Sequence, residues 1–184
     1  MTSFVKSTFE YILHTIYTKE LVITNANQIE NILVTESDLD SSLSNYPKSS
    51  EEYENILKNI PGVIYRCEND ANWTMHYINS GCFDLTGYSI EDLLYNASVS
   101  FNSIIYDPDK NYVWDCVQKS LLNKESYNIE YRIITKDNRM KWVYEIGRGT
   151  YNSQNELLYI EGFISDITTQ KLKDQLISSL LKIR

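Results

Sequence analysis

The sequence predicts an α+β fold, in which one five-stranded antiparallel sheet carries helices on one of its faces. Two observations support this prediction. Residues 127–164 contain three runs rich in β-branched and aromatic residues, separated by two short polar breaks. Two similar runs occur earlier in the chain, and a group of helical patterns lies between them and the later three. The expected order is therefore two strands, several helices and three strands.

The composition is that of a folded domain without a basic surface. The chain has 184 residues, of which 42% are hydrophobic, so a core of ordinary size is possible. A net charge of -8 argues against general nucleic-acid binding. The three cysteines are widely spaced and no signal peptide precedes them, so we expect reduced thiols, no metal site and a cytoplasmic protein. No apolar run approaches the roughly 20 residues that span a bilayer, so no membrane segment is expected within this sequence.

The first 48 residues are expected to form a helical extension. Apolar side chains recur there at three- and four-residue steps, and Phe9, Ile12 and Ile16 lie on this stripe. A second short helix is expected over 28–34, and the serine-rich segment 37–50 is interpreted as a linker. So short an extension cannot bury its own stripe. We expect the stripe to pack on the following domain or on a second copy of the chain.

The next part of the chain begins with a short helix and two strands. A serine cap followed by three glutamates begins a helix over 49–59, and Pro61 ends it, because the residue before a proline is pushed out of the helical region. Strands are predicted over 63–67 and 73–78, with a polar hairpin loop between them.

The middle of the chain is predicted to be helical. Two short helices are expected over 79–86 and 89–94, with a glycine between them as a stop signal. Residues 95–106 are interpreted as a loop. Asp107 is then expected to cap a helix over 107–122 whose first position is a proline.

The last strands, over 127–135, 141–151 and 156–164, form a predicted meander. The breaks between them are rich in Asn and Asp, which tolerate positive φ and bond their own backbone, so each break is expected to be a hairpin turn.

A helix is predicted to follow the meander and to run to the last residue. Leu172, Leu176 and Leu180 form a stripe along it. Only about two heptads are present, whereas a coiled coil needs three or four to stand alone. We therefore interpret the helix as the start of a coiled-coil connector in a dimer.

Several short segments occur in an order and spacing that resemble a known family. They are Ile60-Pro61-Gly62-Val63-Ile64-Tyr65-Arg66-Cys67, Leu85-Thr86-Gly87-Tyr88, Glu130-Tyr131-Arg132-Ile133, Lys141-Trp142-Val143, Glu161-Gly162-Phe163 and Asp166-Ile167-Thr168. Together they make residues 60–168 similar to a PAS domain of the sensory-box type with its PAC half. The departures are mild: Asn138 and Asn155 stand where the family has turn glycines, and Asn is the best substitute at positive φ.

The resemblance implies a non-catalytic sensory module. Such modules precede an output unit such as a histidine kinase or a diguanylate cyclase, and they bind a small molecule between sheet and helices or mediate dimerisation. We therefore expect a homodimer with a downstream output domain in the same chain. Three parts are expected: an extension over 1–48, a sensor domain over 49–168 and a connector helix over 169–184.

The resemblance also suggests site residues. Asp166 and Thr168 lie at the junction with the last helix and are expected to relay the signal. Asp166 can cap that helix or pair with a cation such as Arg148 or Arg132. If a pocket exists, its candidate lining residues are Tyr65, Cys67, Trp73, His76, Trp114, Tyr131 and Trp142.

The sequence leaves alternatives to this function open. A haem-binding relative takes its histidine from the long helix or the loops before it, but the helix over 107–122 has none, which leaves only His76. The light-sensing flavin relatives carry an Asn-Cys-Arg motif, and residues 95–102 contain no cysteine. A non-covalent flavin against Trp114 or Trp142, and a pure dimerisation scaffold with a filled core, are the further alternatives.

Overall fold

The computed structural model describes residues 61–181. The predicted extension, with Phe9, Ile12 and Ile16, and the predicted helix over 49–59 lie outside the described residues. Within the described part, five strands form one sheet. They are β1 (Val63–Cys67), β2 (Met75–Ile78), β3 (Tyr127–Ile134), β4 (Met140–Tyr151) and β5 (Leu157–Asp166).

Six helical segments accompany the strands in the described residues. Three short helices follow β2, a single 3₁₀ turn and a longer helix precede β3, and a last helix follows β5. They are α1 (Gly81–Thr86), α2 (Ile90–Leu93), α3 (Phe101–Ile104), the 3₁₀ turn Asp107–Asp109, α4 (Lys110–Asn123) and α5 (Thr168–Leu181).

The strand order in the sheet is β2-β1-β5-β4-β3, and every neighbouring pair is antiparallel. The first and last strands therefore lie side by side, with Val63 opposite Ile164 and Cys67 opposite Ile160. The predicted five-stranded antiparallel sheet with its helical layer is confirmed.

The core forms between alternate residues of the strands and the buried sides of the helices. β3 shows the alternation most clearly, because Tyr127, Ile129, Tyr131 and Ile133 are buried while the residues between them are exposed or half-buried. The longest helix of this layer, α4, contributes Val113, Val117 and Leu121, which recur every four residues and so share one face.

Turn and cap residues behave as their side chains predict. Asn138 and Asn155 have φ of 58° and 65°, as expected for the positions where the family has glycine. Gly87, the predicted stop after α1, adopts the left-handed conformation at φ 79°. Ser89 and Asp92 form a reciprocal capping box at the start of α2.

The region interpreted from sequence as a loop contains a helix instead. α3 spans only four residues, and the Oγ of Ser100 caps it by accepting a hydrogen bond from the backbone N–H of Ser103 at 3.2 Å. Phe101 and Ile104 of α3 are buried in the core.

The predicted start of the long helix is also corrected. Asp107 does not cap α4, because Asp107–Asp109 form a 3₁₀ turn and α4 begins at Lys110. Asp109 precedes α4 but makes no cap either. Its carboxylate turns to Arg132 instead, accepting from Nε at 2.8 Å and from the backbone N–H at 2.9 Å.

The second strand is shorter than predicted. Trp73 lies before β2 in a turn, with φ of 52° and its backbone N–H donating to the carbonyl of Asp70 at 3.2 Å. A positive φ is rare for so bulky a side chain. Strand conformation therefore starts only at Met75.

Among the described residues, no helix combines the length and the apolar character needed to cross a membrane. The same residues contain no cluster of three or more His, Cys, Asp or Glu side chains that could hold a metal ion.

Candidate functional site

A carboxylate lies in the core of this domain. Glu145 on β4 is 6% exposed. Its two inward neighbours at a spacing of two residues are Val143 and Gly147, so the alternation of the strand directs Glu145 toward the helical layer. Burial of a charged group requires compensating hydrogen bonds or a counter-charge.

Three tyrosine hydroxyls supply the hydrogen bonds. Tyr65 and Tyr127 both donate to Oε1 of Glu145, the latter at 3.0 Å, and the two hydroxyls lie 2.8 Å apart. Tyr131 donates to Oε2 at 2.6 Å. All three rings are buried, and they reach the carboxylate from β1 and β3, which flank β5 and β4.

Register explains how these side chains meet. Ile129 is directly opposite Glu145, so Tyr127 and Tyr131 are its diagonal neighbours on the same face. Tyr65 lies two strands away and faces Gly162 of β5. Because Gly162 has no side chain, the ring of Tyr65 can pass over it to Glu145.

The electrostatics of the cluster follow from its burial. Burial raises the pKa of Glu145 above its ordinary value, although the hydrogen bonds from the three tyrosines act in the opposite direction. Burial and the nearby Glu145 charge also raise the pKa of Tyr65, Tyr127 and Tyr131 well above 10.0, their ordinary value. The tyrosines therefore stay protonated at neutral pH and act as hydroxyl donors.

A small cavity borders this cluster. Its volume is about 20 Å³, which is enough for one water molecule or a very small ligand. Glu145 is the only charged side chain in its wall among the described residues. The wall is otherwise aromatic, aliphatic and sulfur-containing: Tyr65, Cys67, Trp73, Met75, Phe101, Ile105, Val113, Val117, Tyr127 and Ile164.

Several predicted pocket residues surround this cavity. Tyr65, Cys67 and Trp73 line it. Tyr131 does not line it but binds the Glu145 carboxylate. Trp114 packs against Trp73 from outside, with ring centroids 5.1 Å apart, and is 37% exposed.

The other two predicted pocket residues lie elsewhere in the fold. His76 is half-buried, with Nε2 2.6 Å from a carboxylate oxygen of Glu68 and its ring centroid 5.1 Å from that of Tyr95. Trp142 lies near the start of α5, where its ring is 5.3 Å from both the guanidinium of Arg132 and the ammonium of Lys171. Neither residue lines the cavity, because each follows the outward alternation of its strand, next to the inward residues Met75 and Val143.

Trp142 belongs to a hydrogen-bonded junction between the sheet and the last helix. Its backbone N–H donates to Oγ1 of Thr168 at 2.9 Å, and its carbonyl accepts from the N–H of Ile167 at 2.9 Å. Asp166 accepts from the N–H of Thr168 at 2.9 Å. The backbone of Trp142 on β4 thus holds the start of α5 through the Thr168 hydroxyl and the N–H of Ile167.

The cation beside Asp166 differs from the two predicted. Lys141 lies 3.1 Å from Asp166, whereas Arg132 binds Asp109. Arg148 faces Glu161, and it is five residues along β4 from the position opposite Asp166, a separation of about 16 Å. Partial burial acts to raise the pKa of Asp166, but the hydrogen bonds from Thr168 and Lys141 outweigh it and lower that pKa.

The leucine stripe of α5 has no partner among the described residues. Leu172, Leu176 and Leu180 are each 60% exposed, and no residue of α5 in the described range is buried. Most of the stability of such a helix comes from packing its apolar side, so this exposed stripe is a candidate contact surface.

Glu145 and Tyr127 are functional candidates that sequence reasoning missed. The available signal was the two-residue alternation of β4, which places a glutamate on the same face as Val143. That signal is ambiguous, since the opposite face carries Trp142, Tyr144 and Ile146 and is equally apolar.

A haem or a flavin does not fit the cavity with the side chains where they stand. Pockets for ligands of that size measure on the order of 300–1,000 Å³, compared with about 20 Å³ here. His76, the candidate haem ligand, also lies outside the cavity wall. Either cofactor would require the aromatic core to open.

The strand order places one five-stranded antiparallel sheet against a layer of helices, with the small cavity between them. Residues 75–164 match a protein family described as the PAS fold. This match confirms the PAS resemblance that the sequence motifs predict.

Known proteins with sensor domains resemble this chain. It is 24% identical over 132 residues to a methyl sulfide methyltransferase-associated sensor from Methanosarcina acetivorans; the match covers 71% of this chain but only 13% of that protein. A sensory box histidine kinase/response regulator from Burkholderia thailandensis aligns with a TM-score of 0.57 and 21% identity, over 72% of this chain and 97% of the solved chain.

Two further solved structures share the fold. The N-terminal domain of a diguanylate cyclase with a PAS/PAC sensor from Marinobacter aquaeolei aligns with a TM-score of 0.50 and 15% identity, over 60% of this chain and 98% of that one. An RNA-binding light-oxygen-voltage receptor aligns with a TM-score of 0.58 and 14% identity, over 85% of this chain and 41% of that one. At these identities the likeness establishes the fold alone.

Proposed function

We propose that this chain is a non-catalytic sensor module that detects a small molecule in its core cavity and signals to an output domain through α5. The observation that carries the proposal is the position of β4. Glu145 on this strand borders the cavity, and Trp142, three residues earlier, holds the first turn of α5 through its backbone. One strand thus connects the buried carboxylate to the start of the last helix.

The relay follows from the hydrogen bonds of that strand. A ligand that changes the hydrogen bonding of Glu145 would shift β4 relative to β5, where Val143 faces Asp166. The shift would reach Thr168 through its bonds to Trp142. A helix in a parallel dimer has few discrete packings, so a small shift can bias a two-state partner.

The exposed leucine stripe of α5 would connect the sensor to its output domain. Leu172, Leu176 and Leu180 would pack against the same residues of a second copy and continue toward a cytoplasmic output domain in the same chain. The relatives from Methanosarcina and Burkholderia are a sensor and a sensory box protein, and this supports the sensor role. The fold neighbours associated with a histidine kinase and a diguanylate cyclase suggest two classes of output.

Hydrogen exchange measured by mass spectrometry tests the relay. Glu145→Gln keeps the size of the side chain but removes its charge, and we expect faster exchange of the α5 amides over 168–175. Glu156→Gln is the matched control, because Glu156 is exposed in the β4–β5 turn. Unchanged exchange in α5 of folded Glu145→Gln protein would contradict the relay.

Analytical ultracentrifugation tests the dimer. Leu176→Glu and Leu180→Glu place charges in the exposed stripe and should convert the dimer to monomer while the far-ultraviolet spectrum stays unchanged. Ser178→Glu introduces the same charge on the opposite side of α5, given 3.6 residues per turn, and should leave the dimer intact. A native chain that stays monomeric at high concentration would refute this part of the proposal.

A dimerisation scaffold with a filled core is the second candidate. The small cavity favours it, since about 20 Å³ leaves little room for a ligand. Native mass spectrometry of the purified chain separates the two candidates. A co-purified small molecule supports the sensor, whereas a dimer that retains no small molecule and binds none added later supports the scaffold.

A further inference from the structure

We infer that the cavity beside Glu145 binds a small alkylammonium ion of about two non-hydrogen atoms, for which methylammonium is the reference ligand. This inference rests on the proposed sensor function and names the chemical class of its ligand. Charge, hydrogen-bonding capacity, wall chemistry and volume each support it.

In its ionised form Glu145 has no counter-charge among the described residues. Glu145 is 6% exposed, and no lysine or arginine of residues 61–181 forms an ion pair with it. Hydroxyl groups stabilise a carboxylate but do not neutralise it, and a buried charge without a counter-charge is costly. A cation bound in the cavity would supply that counter-charge.

The hydrogen-bonding capacity of Glu145 is not exhausted. Oε1 accepts from Tyr65 and Tyr127, whereas among residues 61–181 Oε2 accepts only from Tyr131. A carboxylate offers about four lone-pair sites, two on each oxygen. One acceptor site on Oε2 therefore remains for an N–H donor.

The walls of the cavity suit an alkylated cation better than a bare inorganic one. Four aromatic side chains line it: Tyr65, Trp73, Phe101 and Tyr127. Aromatic faces attract ammonium groups, most strongly when water is excluded. The alkyl carbon would meet Val113, Val117 and Ile164 on the same wall, where a metal ion would find too few oxygen ligands.

Volume sets the size of the ligand. A cavity of about 20 Å³ holds one or two non-hydrogen atoms, so methylammonium fits while tetramethylammonium requires the core to open. We therefore expect affinity to fall steadily as methyl groups are added to the nitrogen.

Titration calorimetry on the full chain tests the inference, with methylammonium chloride against a sodium chloride blank of equal ionic strength. We expect saturable binding to the native chain and at least tenfold weaker binding to Glu145→Gln. Glu156→Gln should bind as the native chain does. Methanol has the same number of non-hydrogen atoms but no charge, and it should bind at least tenfold more weakly than methylammonium.

A second variant keeps the test decisive if Glu145→Gln does not fold. Val117→Leu leaves the carboxylate in place and adds one carbon to the cavity wall, so it should abolish methylammonium binding. The inference is overturned by the absence of binding to the native chain, by equal binding of methanol, or by unchanged binding to either variant. Those results would leave the relay and dimer experiments unaffected, because neither uses an added ligand.

Discussion

Gly147 of β4 and Gly162 of β5 lie directly opposite each other in the sheet. A methyl group on Gly147 would overlap the phenol ring of Tyr127, and one on Gly162 would lie 2.7 Å from the hydroxyl oxygen of Tyr65. The paired glycines thus form a flat area of sheet on which two tyrosines lie. Both rings need that space to reach Glu145.

Gly147→Ala should destabilise the domain by about 1–3 kcal/mol, because the added methyl group forces the buried Tyr127 ring to move. Urea denaturation measures the loss. Replacing Tyr127 by Leu in the same chain removes the overlapping ring, so the double variant should be more stable than the sum of the two single effects predicts. Strict additivity would mean that the ring is not the obstacle.

Tyr131→Phe should cost about 1–3 kcal/mol, because Oε2 of Glu145 loses the hydroxyl that it accepts from among the described residues. Tyr127→Phe is the natural comparison, since Oε1 keeps its bond from Tyr65 and the loss should be smaller. The free energies of unfolding of the two variants in urea decide the order. The reverse order would show that Oε1 carries the more important contacts.

The stability of the domain should depend on pH through Glu145. Its pKa is raised in the folded protein, mainly by burial, and lies near its ordinary value when the chain is unfolded. Between those two pKa values the folded state holds a proton that the unfolded state has released. Stability from this group is therefore complete below the ordinary pKa and is lost as pH rises through the folded pKa.

The measurement is urea unfolding at pH values from about 4 to 8, compared between the native chain and Glu145→Gln. Asp109 and Asp166 have lowered pKa values, so their contribution to stability is lost as pH falls. Both proteins contain these residues, so this contribution cancels in the comparison. As pH rises, the free energy of unfolding of the native chain should therefore fall relative to that of Glu145→Gln. Parallel curves would show that Glu145 does not titrate in this range.

Thr168→Val should cost about 1 kcal/mol, because the N–H of Trp142 loses its acceptor at the start of α5 while the shape of the side chain is retained. The amides of the first turn of α5 should also exchange faster. Thr169→Val is a matched control, since Thr169 is the adjacent, exposed residue. Equal effects of the two variants would indicate a general loss of helix propensity instead.

Much of the fold was predictable because it is encoded locally. β1 has the predicted bounds, and the later strands agree to within two residues, because runs of β-branched and aromatic residues end at turn residues such as Asn138. The short helix α3 was missed, since four residues are too few to show a helical period.

The candidate site was less predictable because it depends on register between distant strands. Tyr65 could be predicted as a pocket residue from its size and strand position, but its partner Glu145 is 80 positions away in the sequence. Both faces of β4 carry apolar side chains, so the sequence does not show which one receives the glutamate. The contact depends on Gly162, whose missing side chain has meaning only once β1 and β5 are known to be neighbours.

The central position of β5 has a consequence for how the protein is made. β1 emerges from the ribosome early, yet roughly a hundred residues separate it from its partner strand, and a two-stranded hairpin is marginal by itself. Until translation passes Asp166, the nascent chain presents an unpaired apolar edge that invites aggregation. Completion of the sheet therefore coincides with the synthesis of the residues that start α5, so a polypeptide cut short before that point has neither a finished core nor the helix that leaves it.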